Sequence, residues 1–424
     1  MPRSQPLILI GIGAAILIVI LIVGGLLFGR KSSAPQPAVM EFWGIEDEEV
    51  WRETIAKFQA ENPHLTVNYK RLDEPTYEET LINRLAEGKG PDVFLSKNSW
   101  ITKHRDKIFP LPQETFGLSA GAIRTSLVDG AADELIQNDG TIVGLPVFVD
   151  TLALFYNKDV FNAAGIAEPP KTWDDIIQIS SRLTKRSETG DIVRSGFAFG
   201  SAGNVEHAFE IVSSLILQRG ERIIDRKTKT MDLGQGTATA LGFYASFSDP
   251  KGKNMSWTAR MKNSLDAFAE GEAAMVIGLP ADAKRIRAKN PHLDFTIAPF
   301  PQLKDARNSA VYMSFLFPAV STRSSNPVYA WQFVLFLASP DGAKKYLDET
   351  AKAPARRDLI AGGTASAEQD VFYKQALIAR GWPVPDDRRT QRIFEETISA
   401  VASKGARPEE AVSRLREQLQ LLMP

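Results

Sequence analysis

Cysteine is absent from the 424 residues, which removes disulfides, thiolate nucleophiles, Cys-ligated zinc, iron–sulfur clusters and a lipid-modified N-terminal cysteine. An excess of either charge is missing too. The chain has 50 Lys and Arg against 51 Asp and Glu, so no basic field exists to hold a polyanion, and nucleic acid is not an expected partner. Histidine is scarce: His64, His104, His207 and His292 are scattered without an H-E-x-x-H spacing, which argues against a His-based metal site and for surface or satisfied core positions. No phosphate-cradling G-x-x-x-x-G-K-[ST] occurs, Gly11-Ile12-Gly13 lies inside an apolar run, and Gly234-Gln235-Gly236 lacks a strand-to-helix context. Ser248-Asp249-Pro250-Lys251 fits S-x-x-K, but no S-D-N or K-T-G accompanies it, and Pro250 breaks the helix that would align Ser with Lys. No catalytic residue, cofactor or metal is therefore expected. A glycosidase-type carboxylate pair among the 51 acids stays open, since nothing aims two of them at each other.

What is present is core-forming material. Apolar residues make up 44% of the chain, with 23 Phe, 8 Tyr and 7 Trp, and the length suits two or three domains or two lobes of one chain. Residues 7–28 are 22 positions without a charge, about 33 Å as a helix and enough for a hydrocarbon core of about 30 Å. An uncleaved membrane anchor (residues 1–31) is the favoured reading. A cleaved signal peptide is the competitor, set back by the length of the apolar run and by Pro35 after the small-residue site Ser32-Ser33-Ala34. Three cations and no acid in the first 31 residues leave the rest at −4 against −1 for the whole chain. Flanking charge is nearly balanced, so it does not fix orientation. Residues 32–39 are small, polar and Pro-rich, the composition of a short linker.

Beyond the linker the pattern reads strand at 39–43, helix at 46–59, strand at 67–72, helix at 77–87 closed by Gly88, and strand at 92–95. This alternation indicates an α/β fold with a largely parallel sheet. Asp139-Gly140 marks a turn before the apolar run 147–156. Thr172 precedes Asp175 as a capping box, Ser339-Pro340 opens a later helix, and Pro408 opens the last one.

In an open α/β sheet ligands bind beyond the carboxyl ends of the strands. That rule selects Trp43 and Glu46 after the first strand, Lys97, Asn98 and Trp100 after the third, and Asp150 inside the run 147–156. Aromatic faces, amides and carboxylates together suit a neutral polyol. Bland roles compete. Trp43 fits core as well as cleft, Glu46 to Glu49 favour a helix's first turn, and Lys97-Asn98 fits a solvated loop. Asp150 points to an opening, because a charge within an apolar run is costly to bury unpaired.

Several segments in order carry a family resemblance: Glu41-Phe42-Trp43, Gly90-Pro91-Asp92-Val93-Phe94, Gly140-Thr141-Ile142-Val143-Gly144-Leu145-Pro146, then Leu154-Phe155-Tyr156-Asn157-Lys158-Asp159 running on to Lys171-Thr172-Trp173-Asp174. Phe268-Ala269-Glu270-Gly271-Glu272 and Ala338-Ser339-Pro340-Asp341-Gly342 complete the series. From about Met40 onward the chain resembles the extracellular solute-binding proteins of ABC importers, of the carbohydrate type related to maltose-binding protein. The resemblance implies a type II periplasmic-binding-protein-like fold of two interleaved lobes, residues 40–148 with 316–354 and residues 149–315 with 355–424, joined by hinge crossings. It implies capture of a small solute, a sugar above all, by a monomer outside the cell that delivers it to ABC permease subunits. The chain departs from the family in lacking a lipidated Cys, and the apolar run 7–28 is the expected substitute that holds it to the bilayer. By position its ligand contacts fall on Trp43, Glu46, Lys97, Asn98, Trp100, Asp150, Asn204, Tyr312, Ser314 and Arg356. Tyr156, Asn157 and Thr172 read as structural. Ala281 stands where a maltodextrin binder has Trp, which speaks against maltose. A membrane-anchored glycan hydrolase and a ligand-sensing module for a signalling receptor are the alternatives.

Overall fold

Strand and helix alternate from the start of the folded region because apolar residues first recur every second position and then at helical spacing. The computed structural model describes residues 36–304, 309–364 and 366–423. The apolar stretch 7–28 lies outside these, and among the described residues no helix is long and apolar enough to cross a membrane. The elements that position the site begin with β1 (Ala38–Gly44), α1 (Glu48–Glu61), β2 (Leu65–Arg71), α2 (Glu74–Ala86), β3 (Val93–Lys97), β4 (Phe148–Thr151), β5 (Ala153–Asn157) and α3 (Trp173–Leu183). They continue with α4 (Ala208–Gln218), β6 (Met275–Gly278), α5 (Pro280–Lys289), β7 (Phe295–Pro299), β8 (Val311–Ser314) and β9 (Leu316–Val320). The last are α6 (Pro327–Leu337), α7 (Pro340–Thr350), β10 (Ala353–Pro354), β11 (Ala379–Arg380), α8 (Asp387–Lys404) and α9 (Pro408–Gln420).

The first body is a sheet in the order β9-β3-β1-β2, with β2, β1 and β3 parallel and β9 antiparallel to β3. Helix α1 turns Trp51, Thr54, Ile55 and Phe58 inward. Phe42 of β1 meets Trp51, Tyr69 and Phe333 edge-on, and Trp51 stacks on Tyr346 at 4.6 Å. Residues from α6 and α7, nearly 300 positions downstream, thus complete the core that β1 begins. Tyr77 is fully buried and its hydroxyl donates to the carbonyls of Trp43 and Leu95, tying together the ends of β1 and β3 from which the site loops depart.

A second sheet, β6-β5-β7, is antiparallel throughout, so the parallel order of the first body does not extend to it. Its helix α3 opens with the capping box: Thr172 accepts from the Asp175 N–H while Asp175 accepts from the Thr172 N–H. Asn157 caps the helix that follows β5.

Between the two bodies lies a four-stranded sheet, β10-β4-β8-β11. It brings together the three segments where the sequence expects the chain to cross. Asp150 pairs with Ser314 and Thr151 with Met313 in the β4/β8 ladder, and Ala353 pairs with Val149 in the β10/β4 ladder. Since side chains alternate along a strand, Phe148, Asp150, Tyr312 and Ser314 share one face of this sheet, and Thr151 and Met313 share the other.

Candidate functional site

A buried charge cluster sits on the Asp150 face of the crossing sheet. Lys352, one residue before β10, places its Nζ 3.6 Å from Glu46 Oε1 and 3.5 Å from Asp150 Oδ2, and 3.6 Å from the centre of the Phe148 ring. The hydroxyl of Tyr346 donates to Glu46 Oε1. All three charged side chains are less than a fifth exposed. Burial pushes both carboxyls above their ordinary range, and Lys352 pulls each part of the way back. One oxygen of each acid, Glu46 Oε2 and Asp150 Oδ1, is fully buried without a partner. A buried carboxylate oxygen left unmatched costs about 1–3 kcal/mol or more, so this cluster has unspent hydrogen-bonding capacity.

On the same side, a pocket of about 300 Å³ opens at the start of α4. Glu206, His207, Glu210 and Asn263 line it, with Gln391 and Glu395 from α8. His207 holds a left-handed backbone (φ 61°) and its Nε2 lies 2.7 Å from Asp282 Oδ2. Asp282 also accepts from the Leu279 N–H, so the pair locks the first turns of α4 and α5 together at the pocket's edge. Burial draws the imidazole down, but the Asp282 bond and nearby Glu210 outweigh it and leave it raised. Burial raises Glu210 as well, and His207 partly offsets this. The charges of Asp282 and His207 are felt at Asp150, and the Tyr312 ring meets Phe209 of the pocket wall at 5.5 Å. Pocket and charge cluster therefore face the same space.

The ten residues expected from the sequence divide. Glu46 and Asp150 meet at Lys352, with Ser314 directly across from Asp150. Tyr312 is buried against Phe209, its N–H donating to Ser214 Oγ. Trp100, expected as a ligand contact, is corrected: it is buried and stacked on Tyr77 at 5.7 Å, while Trp43, which fitted core as well as cleft, is core. None of the seven Trp exceeds 6% exposure. Asn204 spends its amide on the carbonyls of Thr258 and Met261 and accepts from Trp257 Nε1, so it fixes a loop and has nothing left to offer a ligand. Asn98 is buried, donating to Glu134 Oε2 at 2.8 Å and accepting from the Phe315 N–H. Lys97 lies near Glu74 at 3.8 Å, and Arg356 grips Asp358 through two hydrogen bonds. The sequence reading missed Lys352, Tyr346, His207, Glu210, Gln391 and Glu395. For Lys352 a signal existed, a cation next to an expected crossing strand. The others sit at helix starts and faces whose meeting depends on long-range packing.

Comparison with known proteins bears on this arrangement. The family model for bacterial extracellular solute-binding protein matches residues 44–344. The galactooligosaccharide-binding protein of Bacillus subtilis (strain 168) is 23% identical over 403 residues, covering 91% of this chain and 90% of that one. The sugar-binding protein MalE of Xanthomonas citri has a solved structure that superposes with a TM-score of 0.78 at 21% identity, over 91% of this chain and 97% of that one. UgpB from Mycobacterium tuberculosis, solved in complex with glycerophosphocholine, superposes with a TM-score of 0.71 at 20% identity, over 92% of this chain and 98% of that one. The shared two-lobed α/β fold accommodates more than one ligand chemistry.

Proposed function

The chain belongs to the bacterial extracellular solute-binding proteins, and from that premise we propose that it captures a sugar or oligosaccharide between two lobes for an ABC importer. The lobes are residues 40–148 with 316–354 and residues 149–315 with 355–424, crossing at β4, at the junction of β8 and β9, and after β10. The observation that carries this reading is the pair of buried, unmatched carboxylate oxygens of Glu46 and Asp150 beside Lys352, on the face that also bears the polar pocket. Ring hydroxyls donate to such oxygens and accept from Lys352, His207 and the amides of Asn263 and Gln391. The sugar-type names of the relatives support the class of solute.

Closure requires contacts that exist only when the lobes meet. Lys103 bridges Glu78 and Asp386 at 2.9 Å each, and Arg388 donates to the Pro75 carbonyl at 2.7 Å. These join the first lobe to the N-terminus of α8 across the rim. The function is capture and delivery without turnover. Residues 7–28 tether the chain to the outer face of the cell membrane, where no cysteine is available for a lipid, and a permease receives the solute.

The test is a thermal-shift screen of the full chain against mono- and oligosaccharides, paired with native mass spectrometry of freshly purified protein. A ligand at 100 times its Kd adds about 2.7 kcal/mol, and the shift is expected to vanish in Asp150→Asn. No shift across the panel together with no co-purifying solute would sink the proposal.

A further inference from the structure

The crossing sheet has a second face, and a second pocket lies there. Glu134 is 6% exposed. Added side chains mark its position: a Cβ on Gly381 would sit 1.7 Å from Glu134 Oε1 and 3.3 Å from Met313 Cε. A Cβ on Gly130 would run into the same Met313 at 2.9 Å. Glu134 therefore belongs to the Met313 face, opposite Asp150. It lines a pocket of about 240 Å³. One wall comes from residues 98–138 and the other from residues 224–229 with Pro383 and Met423. Arg226 bridges the two walls, its Nη1 donating to the Asp133 carbonyl at 2.6 Å.

We propose that this pocket is a second binding site, for a small organic anion with a short apolar body. Arg105, Arg226 and Lys229 line it with three cations, while Ile136 and Ile224 supply an apolar wall. Glu134 Oε2 is held by Asn98, and Oε1 is buried without a partner. Burial of Glu134 raises its carboxyl to about 7, so near neutral pH it is protonated in a large fraction of molecules. In that form it does not repel an incoming anion. Because both lobes form the walls, an occupant here biases the lobe angle, and its affinity and that of the cleft solute must alter each other by the same factor. That coupling rests on the closure proposed above; binding in the pocket does not.

The full chain is titrated calorimetrically with hexanoate, with inorganic phosphate and with hexanol. Hexanoate is expected to bind saturably at one site, at least tenfold tighter than either other probe and at least tenfold weaker to the Arg226→Gln, Lys229→Gln double variant. Both replaced side chains are exposed, and an unchanged melting curve verifies the variant's fold. The site is refuted by an absence of saturable heat, by equal affinity in the double variant, or by phosphate or hexanol binding as tightly. A cleft affinity indifferent to saturating hexanoate refutes the coupling. If no sugar binds while the hexanoate isotherm stands, the fault lies with the proposed solute and the second site survives.

Discussion

Replacing Lys352 by Met keeps the stem that packs on Phe148 and removes the charge that two buried acids share. Nζ lies 3.6 Å from Glu46 and 3.5 Å from Asp150, with side-chain exposures of 17%, 15% and 18%. Breaking a buried pair by deleting one partner costs about 3–5 kcal/mol. Residual solvent and contacts longer than an ideal hydrogen bond discount this to about 2–4 kcal/mol at pH 7. For roughly 390 folded residues, at an unfolding entropy of about 2.1 cal/mol/K each, the melting temperature falls by about 2–5 °C. The pH dependence sharpens the test. Both acids have folded pKa values raised above 4.5 and 3.8, mainly by burial. In the folded state they hold their protons to higher pH, so their burial is least costly below about pH 4 and its penalty grows as pH rises through the raised values. Without Lys352 those values climb further. The variant's deficit is therefore expected to be small at pH 4 and to widen toward pH 8, followed by differential scanning fluorimetry of wild type and variant across that range. A deficit that is flat with pH, or that grows as pH falls, would refute the reasoning.

Glu134→Gln removes a carboxyl whose folded pKa stands at about 7 against an ordinary 4.5. The wild type is expected to lose up to about 3 kcal/mol relative to the variant as pH rises from 4.5 through 7, measured by urea unfolding at pH 5 and pH 8. Thr172→Ala breaks the capping box of α3 and is expected to cost about 1 kcal/mol, read as a lowered urea midpoint with an unchanged slope. Lys103→Ala cuts the bridge between Glu78 and Asp386. A partly exposed bridge is worth at most about 1 kcal/mol, so stability should hardly change while the dissociation rate of a cleft solute rises up to about fivefold by stopped-flow fluorescence.

Local order was the legible part, because each element is set by residues close together in sequence. The β1-α1-β2-α2-β3 run follows from apolar spacing, and Thr172, Ser339 and Pro408 mark the helix starts where the structure has them. Asp150 was legible for a related reason: a charge in an apolar run needs a partner or an opening, and it has Lys352 and an unmatched oxygen. What supplies the rest of the site was hidden. Glu46 looked like one of four acids in a helix's first turn, and only the return of α7, 300 residues later, puts Tyr346 and Lys352 beside it. Trp100 misled and Trp43 stayed open between core and cleft because a strand-end aromatic has the same sequence signature whether it faces solvent or a neighbour; Tyr77 packs on Trp100 and Lys70 lies over Trp43. His207 reads as an ordinary core histidine until α5 brings up Asp282, 75 positions away. The sheet β10-β4-β8-β11 gathers its strands, and with them its polar groups, from segments far apart in sequence, so long-range packing decides which charges meet there. The same sheet then gives the molecule two faces, an acidic one toward Asp150 and a cation-lined one toward Glu134, and any motion about it must change both at once.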